Sequence, residues 1–369
     1  MPNNSRALIL ANSVYQLLTA VHLRRSLLRD RETDLILTDV TPALNECLPR
    51  LRETGLFDRV LFAAVQTLHR RYAGAGEEGL SECFRERERI FQWVLSEELA
   101  ARYGQVYFAN FDLFTRLLAC RFYEDDCEFL WFEDGFSSYV IDYLREDRAP
   151  VNRHPQGRKV KDKVERVLLY EPRLAMRGDG LKNVALPKIP IGDEALKTLL
   201  NTIFAYQPPK DSADFIFLEQ SFRAEGIKTN DLSLIEECRN AVGPGRFVVK
   251  PHPRNPHNLP QQLGLTRRYP GNAPWELFLL NEGPAGKTIL TVCSNAALTG
   301  RIVFGMDLNT VMLYPLFEGK VLWKEDAVLL RYLQKFRRQF AGENYYVPQT
   351  VYQLRSILHY LGGQNGQQH

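Results

Sequence analysis

Phe247-Val248-Val249-Lys250-Pro251-His252-Pro253-Arg254 is the stretch on which the reading of this chain turns. Its three apolar residues read as a short buried strand, stopped by two prolines that bracket one histidine. Each proline fixes its own φ and pushes the residue before it, Lys250 and His252, into extended geometry. The imidazole is therefore carried on a stiff turn at the carboxyl end of a strand, where open α/β sheets bind their ligands. Lys250 and Arg254 flank it and favour an anion. The same residues also read as a strand-ending turn whose histidine is polar surface, and the rest of the chain has to separate the two.

Outward from this turn, a second α/β series starts near Asp214. Phe215–Leu218 reads as a strand, Leu232–Ala241 as a helix, Thr288–Val292 as a strand, Ala296–Phe304 as a helix and Asn309–Met312 as a strand. Helices are expected over 325–340 and 350–361, and a disordered polar tail over 362–369. The first half repeats the pattern. Ala7–Ala11 is a buried strand, Asn12 or Ser13 caps a helix over Val14–Leu28 with Gln16 in its first turn, and Leu35–Leu37, Val60–Ala63, Gln105–Ala109 and Cys127–Phe132 are further strands. Ala43–Arg52 is a helix, and apolar spacing from Leu80 to Tyr103 predicts one long helix with a solvated Arg/Glu face. Alternation of this kind argues for parallel sheets with helices on both faces. Residues 148–166, with Pro150, Pro155, Gly157 and five basic residues, read as an exposed linker, or as a patch facing anionic lipid or substrate. Leu186–Ile191 reads as an irregular crossover. The expected organisation is a first domain over 1–150, linker and crossover over 151–210, a second domain over 211–345, and a terminal helix and tail over 346–369. Two doubly wound halves point to an enzyme with its site in the cleft between them.

The totals exclude several classes. A chain of 369 residues with 45% apolar and 25% charged residues is globular, not disordered. A net charge of +3 is too weak to argue for nucleic acid. No apolar run reaches membrane-spanning length, and the start lacks the marks of a signal peptide, so a cytoplasmic protein is expected. Cys47, Cys83, Cys120, Cys127, Cys238 and Cys293 form no CxxC pair and no zinc spacing, and read as reduced, mostly buried thiols.

Five places can carry chemistry. Glu133-Asp134-Gly135 ends a strand; its adjacent carboxylates repel, which raises one pKa and suits a general base, and Gly135 permits a sharp turn, although Asp-Gly is also a common turn dipeptide. His252 is the second. Glu276, in Pro274-Trp275-Glu276, reads as a ligand or as solvated surface. Cys293-Ser294-Asn295 precedes a helix, where hydroxyl, amide and backbone N–H groups form an anion cradle or simply cap it. Leu218-Glu219-Gln220-Ser221 ends the first strand of the second half, and downstream of it Asp231 caps its helix or reaches the cleft. No GxGxxG follows a strand, and there is no GxxxxGK[ST], GxSxG or HExxH. No Asp-x-Asp suits a divalent ion bound to a nucleoside diphosphate, an absence that fits a metal-free, singly phosphorylated leaving group.

Taken together, Glu133-Asp134-Gly135, His252-Pro253, Cys293-Ser294-Asn295, Phe217-Leu218-Glu219-Gln220, Pro274-Trp275-Glu276 and the opening Leu10-Ala11-Asn12-Ser13-Val14-Tyr15-Gln16-Leu17-Leu18 resemble bacterial sialyltransferases, especially the lipooligosaccharide sialyltransferase family, glycosyltransferase family 52. The family's Ser-Ser pair stands here as Ser294-Asn295. The resemblance implies a GT-B-like fold and an inverting, metal-independent transfer of N-acetylneuraminic acid from CMP-Neu5Ac to a terminal sugar, galactose by expectation, of lipooligosaccharide or a related surface glycan. By the same resemblance Asp134 is the base that deprotonates the acceptor, with Asp231 as its rival. His252 serves the departing CMP phosphate, which Ser294 and Asn295 hold. Glu276 takes the ribose hydroxyls, backbone groups at Lys250 and Pro251 read the cytosine, and Gln220 belongs to the same donor site. No metal or other cofactor is expected beyond the CMP-sugar donor. A glycan or glycolipid acceptor, peripheral contact with the inner membrane and a homodimer are implied at the family level. Another CMP-activated acid sugar such as Kdo, or a nucleotide hexose, is the nearest rival donor. A non-catalytic glycan- or nucleotide-binding protein is the rival of another class.

Overall fold

A computed structural model describes residues 6–208, 213–255, 257–269, 274–321, 326–340 and 342–365. The chain forms two compact units, residues 1–206 and 207–369. The first is built on seven parallel strands: β1 (Ala7–Ala11), β2 (Thr33–Thr38), β3 (Arg59–Ala63), β4 (Gln105–Phe108), β5 (Glu128–Phe132), β6 (Val164–Leu169) and β7 (Lys182–Ala185), in the order β3-β2-β1-β4-β5-β6-β7. β1 and β2 are buried along their whole length, as strands covered on both faces must be. Helices Val14–Arg25, Ala43–Glu53 and Leu113–Arg121 form crossovers. The order reverses between β1 and β4, the switch point of a doubly wound sheet.

The second unit has five parallel strands, β8 (Phe215–Leu218), β9 (Phe247–Lys250), β10 (Thr288–Thr291), β11 (Asn309–Met312) and β12 (Tyr345–Tyr346), in the order β12-β11-β10-β8-β9. Its switch point lies between β8 and β10. Helices Asp231–Val242, Trp275–Glu282, Ala296–Phe304, Asp326–Phe340 and Val351–Asn365 surround it. The last packs on Asp231–Val242 through Leu354, Leu358 and Leu361 and belongs to this unit rather than to a separate tail. It runs through the first residues of the segment expected to be disordered; 366–369 lie outside the described residues, as does position 325 of the preceding helix.

Three expectations need correction. Residues 148–166 are not an exposed linker: they hold the helix Pro155–Lys163 and lead directly into β6. Val160, Val164 and Val167 are buried, and the buried Arg116 guanidinium clamps the segment through Gly157 O at 2.7 Å and Asn152 Oδ1 at 2.6 Å, so the lysines and arginines line only the outer face. The first unit therefore extends beyond 150. Helix Glu194–Phe204 packs on Ala43–Glu53, with Arg50 Nε donating to Ile203 O at 2.8 Å, and carries the unit to residue 206. The 80–103 segment is two helices, Glu77–Arg85 and Arg87–Val94, followed by extended chain. Ser96 N donates to Phe62 O and Ala64 N to Val94 O, which draws this chain alongside β3 instead of letting the helix continue. The six cysteines are free and buried, as their spacing predicts.

Candidate functional site

In each unit the polar residues gather where the carboxyl ends of the strands meet the switch point. In the first, β1 leads into Asn12, β4 into Asn110 and Asp112, and β5 into Glu133 and Asp134. Gly135 adopts φ +74°, a left-handed conformation that glycine takes without steric cost, and turns the chain sharply after Asp134. The two adjacent carboxylates then part company. Glu133 is buried and fully engaged: Tyr15 Oη donates to Oε1 at 3.0 Å, and Tyr170 N at 2.9 Å and Tyr139 Oη donate to Oε2. Burial pushes its pKa up to about 7, against the pull of those donors. Asp134 is half-buried and, among the described residues, its carboxylate is held by neutral amides: Asn110 Nδ2 donates to Oδ2 at 3.3 Å, and Gln16 lies against the same carboxylate. Burial raises its pKa, and the two amides oppose the rise. A carboxylate has about four acceptor sites, so this arrangement leaves Asp134 lone pairs for a proton.

In the second unit the turn after β9 is held from β8. Glu219, buried, accepts His252 N at 3.0 Å and Asn255 Nδ2 at 2.7 Å on one oxygen and pairs with Arg223 through the other. His252 Nδ1 accepts Arg254 N at 3.2 Å; a backbone N–H only donates, so the neutral ring carries its proton on Nε2. Burial, then the charges of Arg254 and Lys250, press the His252 pKa down to about 4. The ring is thus a neutral donor until an anion approaches. Gln220 joins β8 to β10 across the switch point: its Oε1 accepts Cys293 N at 3.0 Å and the thiol at 3.3 Å. That assigns the amide, and the Gln220 Nε2 group has no hydrogen-bond partner among the described residues. Ser294 N donates to Thr291 Oγ1 at 3.1 Å. At the N-terminus of Ala296–Phe304 it is Ser294 Oγ that accepts Ala296 N, at 3.4 Å, while Asn295 makes no capping bond and its buried Oδ1 has no partner among the described residues. Burial pushes the Cys293 thiol up to about 12, far from a reactive thiolate.

Glu276 and Lys250 are neighbours in charge. Burial raises the carboxyl and lowers the ammonium, and each charge partly offsets the other's shift. The Lys250 carbonyl already accepts Glu219 N at 3.1 Å, and Pro251, with no N–H, can offer a base edge only its carbonyl. Asp231 sits at the first residue of its helix with both oxygens engaged, Oδ1 by Thr229 Oγ1 at 2.6 Å and Oδ2 by Arg223 Nη1 at 2.9 Å. Gln220, Lys250, Pro251, His252, Glu276, Ser294 and Asn295 all lie in the second unit, with Asp231 bound into the Arg223–Glu219 pair, while Asp134 lies in the first. Sequence reasoning passed over Asn12, Asn110 and Asn255 as site residues and gave Glu219 no role. Their signal is positional: each follows a strand or a proline turn at a carboxyl edge. Among the described residues no group of three His, Cys, Asp or Glu side chains is arranged to hold a metal ion, and no helix is long and apolar enough to cross a membrane.

No protein-family model and no curated protein sequence matches the chain. Solved structures do. The Arabidopsis thaliana protein UGT89C1, complexed with UDP-L-rhamnose, is 11% identical over 98% of this chain and 93% of its own, with a TM-score of 0.53. The α/β-galactoside α-2,3-sialyltransferase of the luminous marine bacterium Photobacterium phosphoreum is 9% identical over 93% of this chain and 98% of its own, with a TM-score of 0.50. With two parallel sheets flanked by helices, this chain has the GT-B glycosyltransferase fold.

Proposed function

We propose that this chain is a nucleotide-sugar-dependent glycosyltransferase and, more finely, an inverting, metal-independent sialyltransferase that moves N-acetylneuraminic acid from CMP-Neu5Ac to a terminal galactose of lipooligosaccharide or a related surface glycan. The observation that carries the reading is the second sheet's carboxyl edge: a neutral His252 with its proton on Nε2 on the turn after β9, and, at the end of the adjacent β8, a Gln220 amide nitrogen without a partner among the described residues. Neutral donors on one sheet edge suit a phosphate that gains charge as it departs. In the proposed step Asp134 takes the acceptor hydroxyl proton and the acceptor oxygen bonds to the anomeric carbon. The bond from that carbon to the phosphate oxygen breaks, and its electron pair leaves with CMP, stabilised by His252 Nε2–H. Ser294 and Asn295 hold the phosphate, Glu276 accepts the ribose hydroxyls, and carbonyls at Lys250 and Pro251 meet the cytosine amino group.

The test is CMP release from CMP-Neu5Ac in EDTA, with and without a galactose-terminated acceptor. Release that rises with acceptor is expected. CMP binding without release from any CMP-sugar would favour a non-catalytic nucleotide-binding protein. Neither binding nor release would overturn the CMP reading and direct the assay to UDP- and GDP-hexoses.

A further inference from the structure

A chain of amides with a single allowed polarity runs into Asp134. It begins at the backbone N–H of Asn12, which donates to Gln16 Oε1 at 2.7 Å. A backbone N–H cannot accept, so that end of the Gln16 amide must be oxygen and the other must be NH₂. The Gln16 NH₂ donates to Asn110 Oδ1 at 2.8 Å, and Asn12 Nδ2 donates to the same oxygen at 2.9 Å. With its oxygen claimed twice, Asn110 has only its NH₂ to turn toward Asp134 Oδ2, at 3.3 Å. The start of the chain is itself fixed: Thr38 Oγ1 donates to Asn12 Oδ1 at 2.9 Å, and Asn12 Nδ2 also donates to Asp112 Oδ2 at 3.0 Å. Strands β1, β2, β4 and β5 each contribute a residue at or beyond their carboxyl ends, so the relay is assembled by the sheet rather than by a local turn.

Resting on the reading of Asp134 as the base, we infer that Asn110 is its positioning residue: oriented through Gln16 from the Asn12 backbone, it delivers a fixed hydrogen-bond donor to the Asp134 carboxylate and keeps it ionised and aimed. An acceptor in the same place would do the opposite, favouring a protonated, non-basic Asp134. The other titratable groups of this edge are occupied elsewhere. Asp112 Oδ1 caps the Leu113–Arg121 helix at Thr115 N, and Glu133 is enclosed by Tyr15, Tyr139 and Tyr170 N. The causes acting on Asp134 are burial, Gln16 and Asn110, with no charged side chain among them.

The experiment follows the Asp134 carboxyl directly, by carbon-13 NMR titration of the donor-free full chain, in wild type, Asn110→Ala and the nearly isosteric Asn110→Asp. The Asp134 titration should move up by about one pH unit in Asn110→Ala, and further in Asn110→Asp, where a like charge replaces the donor. An unmoved titration in both variants would overturn the inference. The acid limb of kcat/KM for CMP release should move up in parallel; a lower kcat on an unmoved limb would mean that Asn110 merely supports the fold. Asp134→Asn separates the two readings. If it turns over as wild type does, Asp134 is not the base, whatever the titration shows; if it is inactive while the titration ignores Asn110, only the relay fails.

Discussion

Asp134, after β5, and Asp231, at the head of the helix that follows β8, are two carboxylates near a carboxyl edge, held by opposite chemistry. Asp134 is touched by neutral amides, Gln16 of the helix after β1 and Asn110 beyond β4. Asp231 is locked by a hydroxyl and by a guanidinium that also pairs with Glu219. A guanidinium partner is a permanent charge that fills a lone pair with a strong, geometrically fixed bond. Amide donors stabilise the carboxylate less and leave room for a proton to arrive. The difference separates a carboxylate suited to proton transfer from one suited to holding a loop, although both lie beside a site.

The sharpest way to break this comparison is to neutralise each aspartate in turn. Asp134→Asn should lower acceptor-dependent CMP release by about 10²–10⁴-fold with little change in Tm. His252→Ala should fall in the same range, with CMP affinity reduced, because a neutral donor to the leaving phosphate is gone. Asp231→Asn should instead cost stability, about 2 kcal/mol for the loss of a charge-assisted bond, with turnover of the folded protein within a few-fold of wild type. If Asp231→Asn is inactive yet as stable as wild type and Asp134→Asn is active, the base is Asp231 and the comparison is inverted.

A smaller effect sharpens the first unit. Glu133 holds its proton up to about pH 7 in the folded chain, against an ordinary value of 4.5. The folded state therefore binds that proton more tightly than the unfolded one. Its advantage is complete below pH 4.5 and is lost as pH rises to 7. Over that window wild type should lose Tm relative to Glu133→Gln, read by calorimetry at a series of pH values; parallel curves would show that the three donors outweigh burial.

Much of the fold was legible because buried parallel strands are continuous apolar runs closed by proline, glycine or cap residues. Phe247–Val249 ending at Pro251, and Ala296–Phe304 following Ser294-Asn295, are visible in that way. The strands β6 and β7 were hidden for the same reason in reverse. β6 carries exposed Glu165 and half-buried Arg166 between buried valines, β7 is largely exposed at the sheet edge, and the lysine-rich helix before them looks like a linker until Arg116 is seen clamping it. The two-residue β12 carries no periodicity at all.

The sequence alone determined the chemistry on offer: a histidine between two prolines, an acidic pair before a glycine, an uncharged hydroxyl-amide pair before a helix. Their types and local geometry depend on neighbours within a few residues. Tertiary structure decided which of them are available. Glu133 and Asp134 are adjacent in the chain just beyond β5, but one enters a tyrosine cage and the other meets the amides of Gln16 and Asn110. The polarity of the Asn110 amide is dictated through Gln16, 94 residues earlier in the chain, a constraint that no local pattern encodes because hydrogen-bond direction is settled only when donor and acceptor meet.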